Sequence, residues 1–215
     1  MNAGHPLLTP RIGLPILGLL AVLNIPFAHL WLRGAAPVTA AAPFADDFGR
    51  EKIGANYSSS GGDWKIQRGE LYAPGVKNNP LWLSVALPAN VVVEFDARSE
   101  SAAGDLKCEI FGDGRAHASG YILVQGGWNN TISVIARLDE HGTDRKERRD
   151  TRVEKGRTYH WRIERKGGLL RWYVDNALFM EFLDPAPLSG RGHDRLAFSS
   201  WDSDLYFDNL RIEAL

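Results

Sequence analysis

The alternation of apolar and charged residues in the last quarter of the chain limits the fold most strongly. Over residues 159–165, Tyr, Trp and Ile occupy every second position and charged or polar residues lie between them. A period of two is the pattern of a strand that buries one face, whereas a helix would place apolar residues three and four apart. Turn residues at Gly167-Gly168 and Asp175-Asn176 separate similar segments. The sequence therefore predicts an antiparallel meander over 159–165, 169–174 and 177–183, with a further strand at 205–212.

Shorter segments of the same kind fill most of the chain before this meander. They are predicted as strands at 64–67, 70–73, 81–87, 91–98, 106–111, 121–125, 131–138 and 148–153. About a dozen short strands at close spacing are typical of a β-sandwich. The fold class predicted is all-β, an antiparallel jelly-roll sandwich preceded by an N-terminal hydrophobic helix.

The charge balance bears on the possible partners of the protein, and the sequence around the single cysteine bears on the role of that residue. The chain has 25 Lys and Arg against 26 Asp and Glu, which gives no argument for nucleic acid as a partner. The basic residues of 145–166 are interleaved with acids, as on a solvated sheet face. Cys108 has no second cysteine to pair with and lies in an alternating segment, so we expect it to be a small core residue.

The N-terminal part of the chain has a different composition from the rest. Residues 12–32 are uncharged and mostly apolar, and Arg33 ends the run. A bilayer crossing needs ~20 such residues, whereas a signal-peptide core usually has ~7–15. Small residues at 38–40 provide a cleavage site. We predict an export signal or a single transmembrane anchor in 1–34, an Ala/Pro linker in 35–43 and the folded domain in 44–215, exported or held at the membrane.

Five short motifs of the folded part occur in an order that is typical of one superfamily. They are Asp-Asp-Phe at 46–48, Trp-x-Ile with Gly-Glu-Leu at 64–71, Val-Glu-Phe-Asp-Ala-Arg at 93–98, Tyr-Val-Asp-Asn at 173–176 and Phe-Asp-Asn-Leu-Arg-Ile at 207–212. The chain resembles the concanavalin A-like lectin/glucanase superfamily, which includes laminin-G modules. The resemblance implies a jelly roll of two antiparallel sheets, one of them concave. A weaker resemblance is to 3-keto-disaccharide hydrolase-type domains, which have Arg where this chain has Asp208.

The resemblance also invites comparison with the catalytic acids of glucanases. Their catalytic strand reads Glu-x-Asp-x-Glu or Glu-x-Asp-x-x-Glu, whereas this chain places Glu100 one position further from Glu94 and Asp96. On an extended strand Arg98 shares the face of these acids and is expected to pair with them. Glucanase-type catalysis is therefore not expected. Catalysis by Glu94, Asp96 or Asp139 remains an alternative.

The loop at 126–130 is the main candidate for ligand binding. Trp128 offers an indole that stacks on the apolar face of a sugar, and Asn129 and Asn130 offer amides for its hydroxyl groups. Two residues of the following strand and loop, and a second aromatic and acidic turn, are predicted to line the same groove: Arg137, His141, Trp201 and Asp202. The alternative is that both indoles pack into the core and the amides serve turn geometry.

Asp47 and Asp208 lie near the two ends of the folded domain. In the superfamily that the chain resembles, the first and last strands are neighbours, and an acid from each binds a structural calcium. Calcium requires six to eight oxygen ligands. We predict a calcium site at these residues, with a salt bridge or a turn hydrogen bond as the alternative.

Together these patterns predict an exported, non-catalytic carbohydrate-binding domain. One alternative is a glycoside-active hydrolase of the same fold, and another is an envelope structural or protein-interaction module. The fold alone does not choose among them.

Overall fold

The computed structural model describes residues 10–32 and 36–215 and divides the chain into two units. The first contains the helix α1 (Pro10–Leu32), which the sequence predicted. Residues 1–9 and 33–35, including Arg33 at the end of the apolar run, lie outside the described residues. Across the two described ranges, no helix is both long enough and apolar enough for a membrane crossing. The transmembrane anchor predicted from the sequence is not supported.

In the second unit, Ala36–Leu215, the regular secondary structure consists of strands apart from one short helical turn. In chain order these are β1 (Ala40–Ala41), β2 (Phe44–Asp46), β3 (Tyr57–Ser59), β4 (Lys65–Gln67), β5 (Glu70–Pro74), β6 (Leu81–Leu83), β7 (Val85–Ala86), β8 (Val91–Ser99), β9 (Leu106–Gly112), β10 (Tyr121–Gly126), β11 (Ile132–Arg137), β12 (Lys146–Arg148), β13 (Thr158–Lys166), β14 (Leu169–Val174), β15 (Ala177–Leu183), β16 (Arg195–Ser199) and β17 (Asp204–Ala214). A four-residue turn of helix, α2 (Gly127–Asn130), joins β10 to β11.

Two antiparallel sheets face each other, as the sequence predicted. The seven-stranded sheet has the order β12-β11-β10-β9-β16-β6-β3. The other sheet has the order β15-β14-β13-β8-β17-β5-β4, with β2 paired to β17. Neighbours such as β13 and β14 come from the predicted meander, whereas β9 and β16 are far apart in sequence and are joined only by tertiary pairing.

The core between the sheets is formed by every second residue of their strands. Phe95 of β8 lies edge-on to Phe198 of β16, with ring centroids 5.2 Å apart, and so connects the two layers. Trp161 packs on Trp172, with centroids 4.3 Å apart. Cys108 is fully buried in the same core, which confirms its predicted place, and burial raises the pKa of its thiol. Side chains on alternate positions of the long strands thus form one apolar layer.

Several boundaries differ from those predicted. The expected strand at 81–87 is divided into β6 and β7. In place of the strand expected at 148–153, the structure has β12, which covers Lys146–Arg148. The expected linker makes hydrogen bonds to the domain: β1 pairs in parallel with β7, and the carbonyl of Ala36 accepts from Arg195 at 2.9 Å. Short apolar and Ala-rich segments carry little information about their partners, so their pairing is decided by the surrounding sheet.

The two outward faces of the sandwich differ in chemistry. On the seven-stranded sheet, a second apolar cluster is buried beneath Ala118 and Trp128; it consists of Ile122, Val124, Ile132, Val134 and Ala136. The outward face of the other sheet carries cross-strand ion pairs, such as Arg162 to Glu94 at 2.8 Å. Loops therefore cover part of the outward face of the seven-stranded sheet, and a groove lies among them.

Candidate functional site

A groove of about 480 Å³ lies on the outward face of the seven-stranded sheet. Its base is formed at the start of β9 and at the facing end of β10, where Lys107 is paired in register with Val124. Its walls come from α2 and from four loops, those between β5 and β6, β8 and β9, β11 and β12, and β16 and β17. The lining residues are Asn78, Ala103, Asp105, Lys107, Val124, Trp128, Asn129, Glu140, His141, Trp201, Asp202 and Ser203.

The turn that carries Trp128 has an unusual backbone. Trp128 (φ 49°, ψ 57°) and Asn129 (φ 59°, ψ 46°) both have left-handed dihedral angles, and φ is 60° at Asn130. Each non-glycine residue in this region costs about 1–3 kcal/mol, and such strain persists only where the surroundings hold it. Asn130 supplies that hold, because it is buried and its amide bonds to the backbone of a neighbouring loop. The turn keeps Trp128 half-buried at the groove wall and leaves Asn129 exposed.

The indole of Trp128 is fixed by its neighbours. His141 lies edge-on to it, with ring centroids 5.6 Å apart. The guanidinium carbon of Arg145 lies 4.8 Å from the centre of the Trp128 ring, a cation–π distance. Arg145 also donates to the carbonyl of Glu140 at 2.6 Å, within the loop between β11 and β12. This loop therefore packs against Trp128 through Arg145. A rigid aromatic wall binds a ligand at a smaller entropy cost than a mobile one.

Trp201 forms a second aromatic wall. Its side chain is 53% exposed, so the core packing considered as an alternative for this residue does not occur. Its backbone N–H donates to Oδ2 of Asp105 at 2.7 Å, and Nζ of Lys77 lies 5.3 Å from the ring centre. Both predicted aromatic residues are therefore brought to one groove, although they are far apart in sequence.

The polar floor of the groove is centred on Lys107, which the sequence analysis did not identify. This side chain is only 3% exposed, and its ammonium donates to Oδ1 of Asn78 at 2.9 Å and to Oε2 of Glu140 at 3.1 Å. Buried ammonium groups are stable only when they are paired in this way. The sequence did contain a signal for this placement. Lys107 and Glu109 alternate with the core residues of β9, so their side chains must point outward.

Glu109 holds a further loop over the same sheet face. It is fully buried, and its carboxylate accepts from the backbone N–H of Ala118 at 2.9 Å. His117 Nδ1 lies 2.6 Å from the other carboxylate oxygen. These bonds place Ala118 on the outer apolar cluster, so the loop shields the sheet next to the groove.

Asp105 is the most buried carboxylate of the groove. It is 9% exposed and precedes β9 with φ at 66°. Burial raises the pKa of Asp105 above its usual value, the charge of Lys107 opposes this, and the hydrogen bond from Trp201 also lowers the pKa. The negative charges of Glu140 and Asp202 raise it further.

Two of the seven predicted ligand-binding residues lie outside the groove. Asn130 is buried in the turn, where it holds the backbone. Arg137 lies at the other end of β11, where its Nε donates to Asp184 at 2.8 Å. Arg137 lies two positions after the core residue Ile135 in β11, so the alternation of the strand turns it away from the outward face. The remaining five predicted residues line the groove: Trp128, Asn129, His141, Trp201 and Asp202.

The acids considered for catalysis do not line this groove. Glu94 accepts from Arg162 at 2.8 Å, and Asp96 lies 2.9 Å from Nδ1 of His160, both on the outward face of the other sheet. Asp139 caps a turn by accepting from the backbone N–H of His141 at 2.9 Å. The expected pairing of Arg98 with Glu94 and Asp96 is wrong.

Arg98 pairs instead with Glu70 at 2.8 Å and with Glu100 at 3.0 Å. Glu70 lies on β5, which is separated from β8 by β17, so the reach of the arginine side chain across the sheet decided this contact.

The two acids of the predicted calcium site make turn hydrogen bonds. Asp47 accepts from the N–H of Gly49 at 3.0 Å, and Asp208 accepts from the N–H of Asn209 at 2.8 Å. Burial raises the pKa of Asp208, and its neighbours Glu70, Asp96 and Asp47 add to this. The first strand does pair with the last, β2 with β17. Within the described ranges, no three His, Cys, Asp or Glu side chains assemble around a common point where a metal could bind.

The two sheets and their strand order define a concanavalin A-like lectin/glucanase fold, as the sequence motifs predicted. A carbohydrate-binding module, CBM66, from Bacillus subtilis superposes with a TM-score of 0.62 at 15% identity, over 83% of this chain and 100% of that one. The carbohydrate recognition domain of Emp47p gives 0.59 at 12% identity, over 85% and 98%. A beta-glucanase from Bacillus licheniformis gives 0.59 at 11% identity, over 80% and 98%.

At these identities the likeness establishes the fold and does not transfer a function. No protein-family model and no curated protein sequence matches the chain.

Proposed function

We propose that the domain binds carbohydrate in the groove between Trp128 and Trp201. The observation that carries the proposal is the 53% exposed indole of Trp201 beside a polar floor. Concave surfaces lined by aromatic side chains with a few convergent polar groups are typical of ligand-binding sites. The names of two compared structures, a carbohydrate-binding module and a carbohydrate recognition domain, add support from proteins of the same fold.

The chemistry of the groove suits a sugar. Sugar rings have an apolar face that stacks on indole and a rim of hydroxyl groups that both donate and accept hydrogen bonds. The floor offers an ammonium donor in Lys107 and carboxylate acceptors in Asp105 and Glu140, and the wall offers the amide of Asn129. The acids considered for catalysis, Glu94, Asp96 and Asp139, do not line this groove, so we propose binding and not hydrolysis.

The test of this proposal is glycan binding by the Trp201→Ala variant. Trp201 lies on an exposed turn, so its removal leaves the core intact. Loss of one stacking contact is worth about 1.4 kcal/mol, which is a tenfold loss of affinity. A glycan array would identify a ligand, and isothermal titration calorimetry would measure its affinity for both proteins.

The matched control is Tyr173→Ala, which removes a partly exposed aromatic side chain from β14 on the other sheet. This variant should bind as the wild type does. Absence of binding to any glycan, or equal affinity in the wild type and Trp201→Ala, would count against the groove.

We also propose that the protein is exported. The uncharged apolar run at 12–32 and the small residues at 38–40 support this proposal.

A further inference from the structure

The carboxylate of Asp105 gives the groove a group that can select one class of ligand. Its Oδ2 accepts from Trp201, and its side chain lines the groove although 91% of the residue is buried. The other two carboxylates of the groove have cationic partners, Lys107 for Glu140 at 3.1 Å and Lys77 for Asp202. In the part of the chain that the structure describes, Asp105 has no ion pair.

The charge of the groove as a whole points in the same direction. Three carboxylates and one ammonium group line it, and the ammonium is already bonded to Asn78 and Glu140. Burial disfavours the charged form of Asp105 most, and the charge of Lys107 and the bond from Trp201 only partly offset it, while Glu140 and Asp202 add repulsion. A positive ligand group beside Asp105 would therefore stabilise its charged form. An anionic sugar would add a like charge, which is unfavourable in a partly desolvated site.

We propose that the groove selects sugars that carry a free amine, such as glucosamine units, and that Asp105 binds their ammonium group. This inference rests on the proposed carbohydrate function. The exposed indole of Trp201 would stack on the apolar face of the ring, while the amine would lie near Asp105, which is fixed to the backbone of Trp201 itself. An N-acetylated sugar has the same ring but no charge, so it stacks without the ion pair.

The test compares chito-oligosaccharides with their N-acetylated forms and with neutral gluco-oligosaccharides of equal length. Isothermal titration calorimetry at pH 6 keeps the amine protonated. A hydrogen bond to a charged group contributes more than a neutral one, so we expect about tenfold tighter binding of the amine form. The Asp105→Asn variant should abolish this preference, because the amide keeps an acceptor for the Trp201 N–H but loses the charge.

The control is Glu181→Gln, which makes the same change of net charge at an exposed ion pair with Arg171 on the other sheet. This variant should keep the preference in full. Comparable thermal unfolding of both variants would show that each is folded.

The possible results separate the two proposals. If neutral or N-acetylated oligomers bind through Trp201 as tightly as the amine forms, selection by Asp105 is wrong and carbohydrate binding stands. An amine preference that survives in Asp105→Asn also overturns this inference. If no oligosaccharide binds and array glycans do not bind either, the carbohydrate function itself fails.

Discussion

At the scale of single residues, Asn130 shows how a buried polar side chain sets up an exposed site. Its Nδ2 donates to the carbonyls of Ala102 at 3.1 Å and Val153 at 2.8 Å, and its Oδ1 accepts from the N–H of Val153 at 2.8 Å. Asn tolerates the left-handed conformation better than most residues. The residue therefore stabilises the strained turn on which Trp128 is presented.

Replacing Asn130 should destabilise the fold. We expect Asn130→Ala to lower the free energy of unfolding by about 3 kcal/mol, because backbone groups that are buried lose their partners. Urea denaturation followed by tryptophan fluorescence measures this change. The neighbouring Asn129→Gly variant serves as the control, since Asn129 is exposed and Gly accepts its positive φ. Equal losses in the two variants would contradict the role given to Asn130.

At the scale of elements, Asp46 fastens the short strand β2 to its surroundings. Its Oδ2 accepts from Nη2 of Arg50 at 2.8 Å and from the hydroxyl of Tyr57 at 2.8 Å, and its Oδ1 accepts from the N–H of Phe48. Burial alone would raise the pKa of Asp46, but the bonds from Arg50, Phe48 and Tyr57 outweigh it and lower the pKa below 3.8. A strand of three residues thus gains contacts that its backbone pairing with β17 does not provide.

The lowered pKa of Asp46 predicts a specific dependence on pH. Because the folded pKa lies below the unfolded one, its contribution to stability is present above about pH 4 and is lost as the pH falls further. Asp46→Asn should be less stable than the wild type at pH 7 and should lose less additional stability between pH 4 and pH 2. Urea midpoints across this range provide the measurement.

The control is Asp63→Asn, at an exposed carboxylate whose ion pair with Lys65 lies in solvent. Its stability should follow the wild type at every pH. A parallel pH dependence of Asp46→Asn and the wild type would show that Asp46 makes no such contribution.

At the scale of the whole molecule, the two outward faces of the sandwich differ in shape and chemistry. The face of the seven-stranded sheet carries the groove, whereas the ion pairs of Glu94 and Arg98 cover the other face. The side chains of these pairs are partly buried, and their charges give this sheet face a polar surface.

The proposed export is tested on the full chain. We expect the wild type, expressed in a bacterial host, to appear outside the cytosol. Leu19→Arg with Leu20→Arg should abolish export, because two charges in the middle of α1 remove the apolar run that export machinery recognises. Cell fractionation with immunoblotting measures the distribution. A matched change outside the run, Lys65→Arg, should have no effect, and a cytosolic wild type would refute export.

The period-two pattern determined the strands and the class of fold, because alternation depends only on which residues a sheet buries. The sequence also indicated both indoles of the groove as candidates for ligand binding, because each lies in a turn between two predicted strands. The tertiary structure alone decided that Asn78, Asp105, Lys107 and Glu140 meet there. Their approach depends on strand register and loop paths, which are set by pairing between distant segments and are not encoded locally. The same long-range pairing buried Asn130 and turned Arg137 toward Asp184.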